Sequence, residues 1–313
     1  MKESPEFIGR HYDGDEKKDL RETLRRWSDE ALKPIEGEVE KKQEEAKIIE
    51  TINFLIKKEL QSLGIEDYEP IPLEKVHLLP SKIFKEKFPE FDGQAFFLST
   101  SDVVYMNKDQ AESKARIFSR LLHELIHRAS TNKFYADKDK KDGGIYDARL
   151  GYHIRSPWKK LERENRLLGF NELMTDYTVY KILLKNQQGL ENDFGITKED
   201  IQGSIYTYMH YGPILESIIN KIAEDKGIST QEVFIDLERG LFQPSILVLK
   251  DVERSFEAGA LKILSYLETL VKSEDNEHLE EMIKKFFTET DKNRRQRLKS
   301  EIEEFIAKST KST

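Results

Sequence analysis

Apolar residues return every three or four positions from Asp109 to Arg128, where Ala111, Ala115, Phe118, Leu121, Leu122, Leu125 and Ile126 make one stripe. The pattern predicts a helix with one buried face. Asn107 is its expected N-cap, with Asp109 and Glu112 near the positive end of its dipole. A second stripe of Leu173, Tyr177, Tyr180 and Leu184 predicts a helix within residues 169–184, capped by Asn171. Upstream, residues 15–64 read as mostly helical, broken at Pro34, stopped near Gly64 and laced with i,i+4 charges between Glu36 and Lys58.

Between these helical stretches the period changes. Val76–Leu79, Ala95–Ser99 and Val103–Asn107 read as short strands, with Gly93 and the Ser101-Asp102 pair as turn signals. Lys133–Gly144 is rich in Lys, Asp and Gly and reads as an exposed loop. Beyond it Tyr146, Ala148, Leu150, Tyr152 and Ile154 alternate with Asp147, Arg149, Gly151, His153 and Arg155, which predicts two strands with an apolar and a polar face. On that polar face His153 and Arg155 are positioned to meet a substrate carboxylate or backbone. After Leu184 the expected helices are Lys198–Tyr208, Pro213–Lys226, Thr230–Arg239, Pro244–Leu270 and Glu277–Lys308. The fold class is therefore α+β. The expected division is a helical extension over residues 1–70, a core of sheet and two motif helices over 71–185, and a helical lower part over 186–313. The extension is expected either to pack as a layer on the core or to act as a pro-segment.

Composition narrows the partners. Charged residues are 35% of the 313 and the net charge is −8, so neither a nucleic acid nor an anionic membrane is an expected partner. No run approaches the roughly 18 apolar residues of a membrane helix, and the first residues lack an apolar signal region, so a cytoplasmic protein is expected. Without cysteine there is neither a disulfide framework nor a thiolate metal site. The oligomeric state is left open.

The chemistry lies on the two striped helices. Residues 123–127 read HELIH, and positions i and i+4 of a helix share a face, so the imidazoles of His123 and His127 can converge on one cation. Glu124 lies about 100° further round, where it can reach a metal-bound water without ligating the metal. A catalytic zinc wants three protein ligands and an open fourth position. A nearby third histidine is ruled out, because the extended motif needs Gly at 130 and His at 133, where the chain has Ser130 and Lys133. On the second helix Glu172 and Asp176 share a face. Glu172 is the expected third ligand, and Asp176 the acceptor that orients a ligating ring, most naturally His123. His11, His77 and His278 have no partner at ligand spacing and read as incidental.

HELIH followed by NELMTD, an HExxH and then an NExxxD motif, resembles the gluzincin clan of zinc metallopeptidases, and the short chain is most similar to its compact minigluzincin-type members. The likeness spans about residues 75–225. It implies a zincin-like fold with a thermolysin-like core and one catalytic Zn2+. It further implies Glu124 as general base and a peptide or protein substrate. It makes Gln94, Ala95, Phe96, Phe97 and Leu98 the edge strand that pairs with extended peptide, and Val103–Asn107 the inner strand. An oxyanion donor is also expected, and the segment TYMHYG offers Tyr208, His210 and Tyr211. Compact relatives carry a Tyr at the start of a similar helix, which favours Tyr211.

A zinc endo- or aminopeptidase is thus the leading expectation. Residues 93–107 lack the acidic amine-binding motif of aminopeptidases, which favours an endopeptidase. A second class is a catalytically silent, zinc-bound peptide-binding or regulatory protein on the same fold, although that role has no use for Glu124. A third is an effector that cuts a single protein with the same core.

Overall fold

In the computed structural model the described residues are 6–8, 12–111, 113–136, 144–155, 165–204, 208–243, 245, 247–267 and 277–309. The chain begins with strand β1 (Glu6–Phe7) and helices α1 (Gly14–Ala31) and α2 (Gln43–Ser62). Strand β2 (Val76–Leu79), helix α3 (Ser81–Lys87) and strands β3 (Ala95–Leu98) and β4 (Val103–Asn107) follow. Helix α4 (Lys114–Ala129) carries HELIH, and strands β5 (Asn132–Ala136), β6 (Ile145–Leu150), β7 (His153–Arg155) and β8 (Asn165–Arg166) lead to helix α5 (Leu168–Lys185). The remaining described residues form helices α6 (Gln187–Phe194), α7 (Lys198–Gly203), α8 (Gly212–Lys226), α9 (Thr230–Phe242), α10 (Leu247–Phe256), α11 (Ala260–Ser265), α12 (Glu277–Thr288) and α13 (Lys292–Ser309) with their connections. The fold is α+β, and no helix among the described residues is long and apolar enough to cross a membrane.

Two compact units divide the chain, one of residues 1–150 with 175–206, the other of 151–174 with 207–313. In the first, β4 lies between β2, which it meets in parallel, and β3, which it meets antiparallel, so β3 is an edge strand. Beside it β1 pairs in parallel with β5, and β5 antiparallel with β6. Helix α1 covers this second sheet, packing Leu20, Leu24 and Trp27 with Phe7, Tyr12, Phe134, Ala136 and Ile145. Helix α2 packs on α4. The stripe of α4 is fully buried at Phe118, Leu121, Leu122, Leu125 and Ile126, and each such side chain contributes about 1.5–3 kcal/mol. That burial sets which face of α4 remains for chemistry.

In the second unit, β7 and β8 form an antiparallel pair and α8 packs against α9, α10 and α12. The turn before β7 requires a glycine. Gly151 has φ +56°, and a Cβ there would come within 2.4 Å of the Asn171 side chain.

Several local expectations change. The HELIH helix begins at Ser113, whose Oγ accepts from the Arg116 N–H, because Lys108–Gln110 turn as a 3-10 segment first. Asn107 instead ends β4 and accepts from the Ser81 hydroxyl. Asn171 lies inside α5 and accepts the Tyr152 N–H at 2.8 Å, so tertiary contact takes over the side chain that local sequence offers as a cap. Lys133–Ala136 belong to β5, completed by pairing with β6, while 137–143 lie outside the described residues. The expected polar face of β6 and β7 holds the buried Arg149 and His153. Within the expected Pro244–Leu270 the described residues form α10 and α11, parted at the left-handed Gly259, while 244, 246 and 268–270 lie outside the described residues, and Glu277–Lys308 divides into α12 and α13. Finally, His77 is a buried, fully engaged ring. Its Nδ1 is 2.8 Å from Glu38 Oε2, its Nε2 is 2.7 Å from the Ala31 carbonyl, and it stacks on Tyr105.

Candidate metal centre

Helix α4 presents His123, Glu124 and His127 on adjoining parts of its surface, as the helical repeat requires. His127 and Glu124 are buried, and His123 is partly so. The two imidazoles meet nearly edge to face, at 78° with centroids 4.6 Å apart, and their Nε2 atoms are 2.9 Å apart. Glu172 and Asp176 are one turn apart on α5, the first partly exposed, the second buried. His123, His127 and Glu172 each offer one ligand atom, and these atoms lie within 4.8 Å of one another. The group can hold a metal ion.

Asp176 sets the polarity of the arrangement. Its Oδ1 is 2.8 Å from His123 Nδ1, and because an ionised carboxylate only accepts, Nδ1 carries the proton and Nε2 keeps its lone pair. That lone pair points at the Nε2 of His127. Two imidazole nitrogens and a carboxylate suit a transition-metal ion such as zinc or iron, whereas magnesium and calcium prefer oxygen alone.

Of the other residues singled out in the sequence, Ala95–Leu98 are β3, and the Gln94 carbonyl accepts from the Asn107 N–H at 2.7 Å, extending the β3–β4 pairing by one residue. Tyr208, His210 and Tyr211 lie in the second unit, where Met209–Tyr211 make a 3-10 turn into α8. Tyr211 is buried, its ring 3.7 Å from that of His210 between centroids. Burial first, and the negative charge of Glu280 second, push its phenol up to about 12. His210 is exposed, 3.9 Å from Glu280, and the Tyr208 ring is 6.3 Å from that of Tyr211.

Sequence reading missed Arg128 and Asp102. Arg128 directly follows His127, and its buried guanidinium donates through Nε and Nη2 to both oxygens of Asp102, at 2.8 and 3.2 Å. Its Nη1 donates to the Glu69 carbonyl at 2.6 Å. The available signal was only an arginine on the apolar side of an amphipathic helix and an aspartate in a turn. No family model matches this chain, and no curated protein or solved structure was found similar to it.

Proposed function

We propose that this chain is a zinc metallopeptidase of the gluzincin type, with a zincin-like fold, acting on peptide or protein substrates. The observation that carries this reading is the convergence of His123, His127 and Glu172, with Asp176 on the far nitrogen of His123. An HExxH pair alone offers two ligands. A carboxylate third ligand and a carboxylate behind a ligand ring supply the rest of a hydrolytic zinc site.

A zinc ion bound there would polarise the scissile carbonyl and lower the pKa of water toward 7. Glu124, next to the ligand His123, takes a proton from the attacking water and passes it to the leaving amine. The edge strand β3 offers free backbone groups for an extended peptide to pair with. Tyr211 donates to the developing oxyanion. Its phenol, held up to about 12, keeps its proton throughout the neutral range, which a donor needs. Tyr208 and His210 are the neighbours that would take the role if Tyr211 did not.

The test is a peptide pool incubated with purified protein and read by mass spectrometry, alongside zinc analysis. Glu124→Gln should keep its zinc and lose about 10²- to 10⁴-fold in turnover. Tyr211→Phe should lose about 10² in kcat at unchanged melting temperature. A Glu124→Gln protein as active as wild type would sink the mechanism, and a wild type that takes up no zinc would sink the whole reading. Zinc and peptide bound without cleavage would mark a silent binding protein.

A further inference from the structure

Arg128 uses every side of its guanidinium. Two nitrogens form a fork on Asp102, and the third binds the Glu69 backbone. Asp102 is in the turn joining β3 to β4 and has a left-handed backbone, φ +53°, which side chains other than glycine, asparagine and aspartate rarely adopt. It also receives Lys75 Nζ at 2.7 Å, from the turn that precedes β2. Burial works against its charge, but Arg128 and then Lys75 outweigh burial and hold the carboxyl below its ordinary range. The other end of the same turn is tied as well, since the Ser99 hydroxyl donates to Asp147 on β6.

These bonds join two parts whose separation matters. The apolar stripe of α4 holds the helix against the sheet, but apolar contacts are non-directional and define its axial position poorly. A bidentate fork defines both distance and direction. It grips the residue beside His127 at one end and the hairpin of the edge strand at the other.

We propose that Arg128 and Asp102 are positioning residues, which set the offset between the metal-binding end of α4 and the β3–β4 hairpin on which extended peptide would lie. This rests on the peptidase reading. A lysine at 128 keeps the charge but, as a compact ammonium, cannot form the fork and reach Glu69 together. Asparagine at 102 tolerates the left-handed backbone and removes the charge.

The experiment compares full-length wild type, Arg128→Lys, Asp102→Asn and the double variant. Zinc affinity is measured by chelator competition, and kcat and KM for one peptide of eight or more residues and for one short peptide. Each variant should bind zinc more weakly, by up to about tenfold, the low end of the range for groups bonded to a ligand itself, since the fork acts on His127 through the helix. The long peptide should lose about tenfold or more of its kcat/KM advantage over the short one, chiefly through KM. The double variant should be no worse than the singles, as expected of one unit. An ion pair of purely structural value would lower the melting temperature and leave both the zinc constant and the long-to-short ratio at wild-type values, and that result would overturn the proposal. If Arg128→Lys fails to fold by circular dichroism, Asp102→Asn decides by the same two readings. A wild type that binds no zinc refutes the peptidase reading instead. If wild type binds zinc but cleaves nothing, the peptidase reading falls and the zinc constants still decide whether the fork positions the metal helix.

Discussion

His77 and His123 make the same first contact, a ring nitrogen 2.8 Å from a carboxylate oxygen, in places where both carboxylates are shielded from water. They differ at the second nitrogen. In His77 it is 2.7 Å from the Ala31 carbonyl, so both ring nitrogens are taken up by protein partners. The ring also stacks on Tyr105. In His123 the second nitrogen meets the Nε2 of another imidazole, with Glu172 close by. One arrangement is closed and self-sufficient; the other gathers ligand atoms that could hold a cation. A histidine beside a carboxylate is therefore not in itself a metal ligand. The partner of the other nitrogen decides.

The comparison is broken or sharpened first by exchanging the effects of the two rings. His123→Ala should abolish stoichiometric zinc in elemental analysis, and because it also removes a partner of the buried Asp176 carboxylate the apo protein should melt lower. His77→Ala should instead retain zinc while destabilising the fold by about 1–3 kcal/mol, since it removes a buried ring and leaves the Ala31 carbonyl without its donor, while Glu38 keeps Lys41 and the Ile35 N–H. Zinc lost equally from both proteins would erase the distinction.

A smaller effect is expected at the carboxylate behind His123. Asp176→Asn preserves shape but favours the wrong tautomer, so zinc affinity should fall about 10- to 100-fold, as judged by chelator competition. Unchanged affinity would mean that Asp176 serves packing alone.

The smallest effect concerns acid. Burial opposes the Glu38 charge, but the His77 ring, the Ile35 N–H and Lys41 outweigh it and hold the carboxyl below its ordinary range. A depressed carboxylate stabilises the folded state fully above its unfolded value, about 4.3, and loses that contribution as pH falls through the folded value. Wild type should therefore lose more stability than Glu38→Gln in urea melts as pH drops below about 4.3. Parallel losses would show that Glu38 contributes nothing through its charge.

Much of this architecture is legible from local pattern. Strands Val76–Leu79 and Val103–Asn107 begin and end where alternation and turn residues place them. Helix α8 matches its expected span to within a residue, because Pro213 suits a first turn and Gly227 takes the left-handed C-cap. The misses share a cause. Asn107 and Asn171 are good caps in isolation, yet Ser81 and Tyr152, distant in sequence, hold them elsewhere. Arg149 and His153 alternate as a solvent-facing pair would, and the fold buries both. Residues before 70 illustrate the same limit, since charge spacing cannot reveal that the Glu69 carbonyl and Asn53 are engaged by Arg128, Tyr68 and Ile71.

What the sequence by itself determined is whatever depends on neighbours along one helix. Four-residue spacing puts His123 and His127 on one face, sets Glu124 beside them, and stacks Glu172 over Asp176, because helical geometry is fixed by the backbone. Tertiary structure decided which of these groups meet. His123 and Asp176 are 53 positions apart and Glu38 and His77 are 39 apart, and no local rule brings either pair together. Those encounters arise from burial of apolar faces, a non-directional force, and hydrogen-bond geometry then selects the partners.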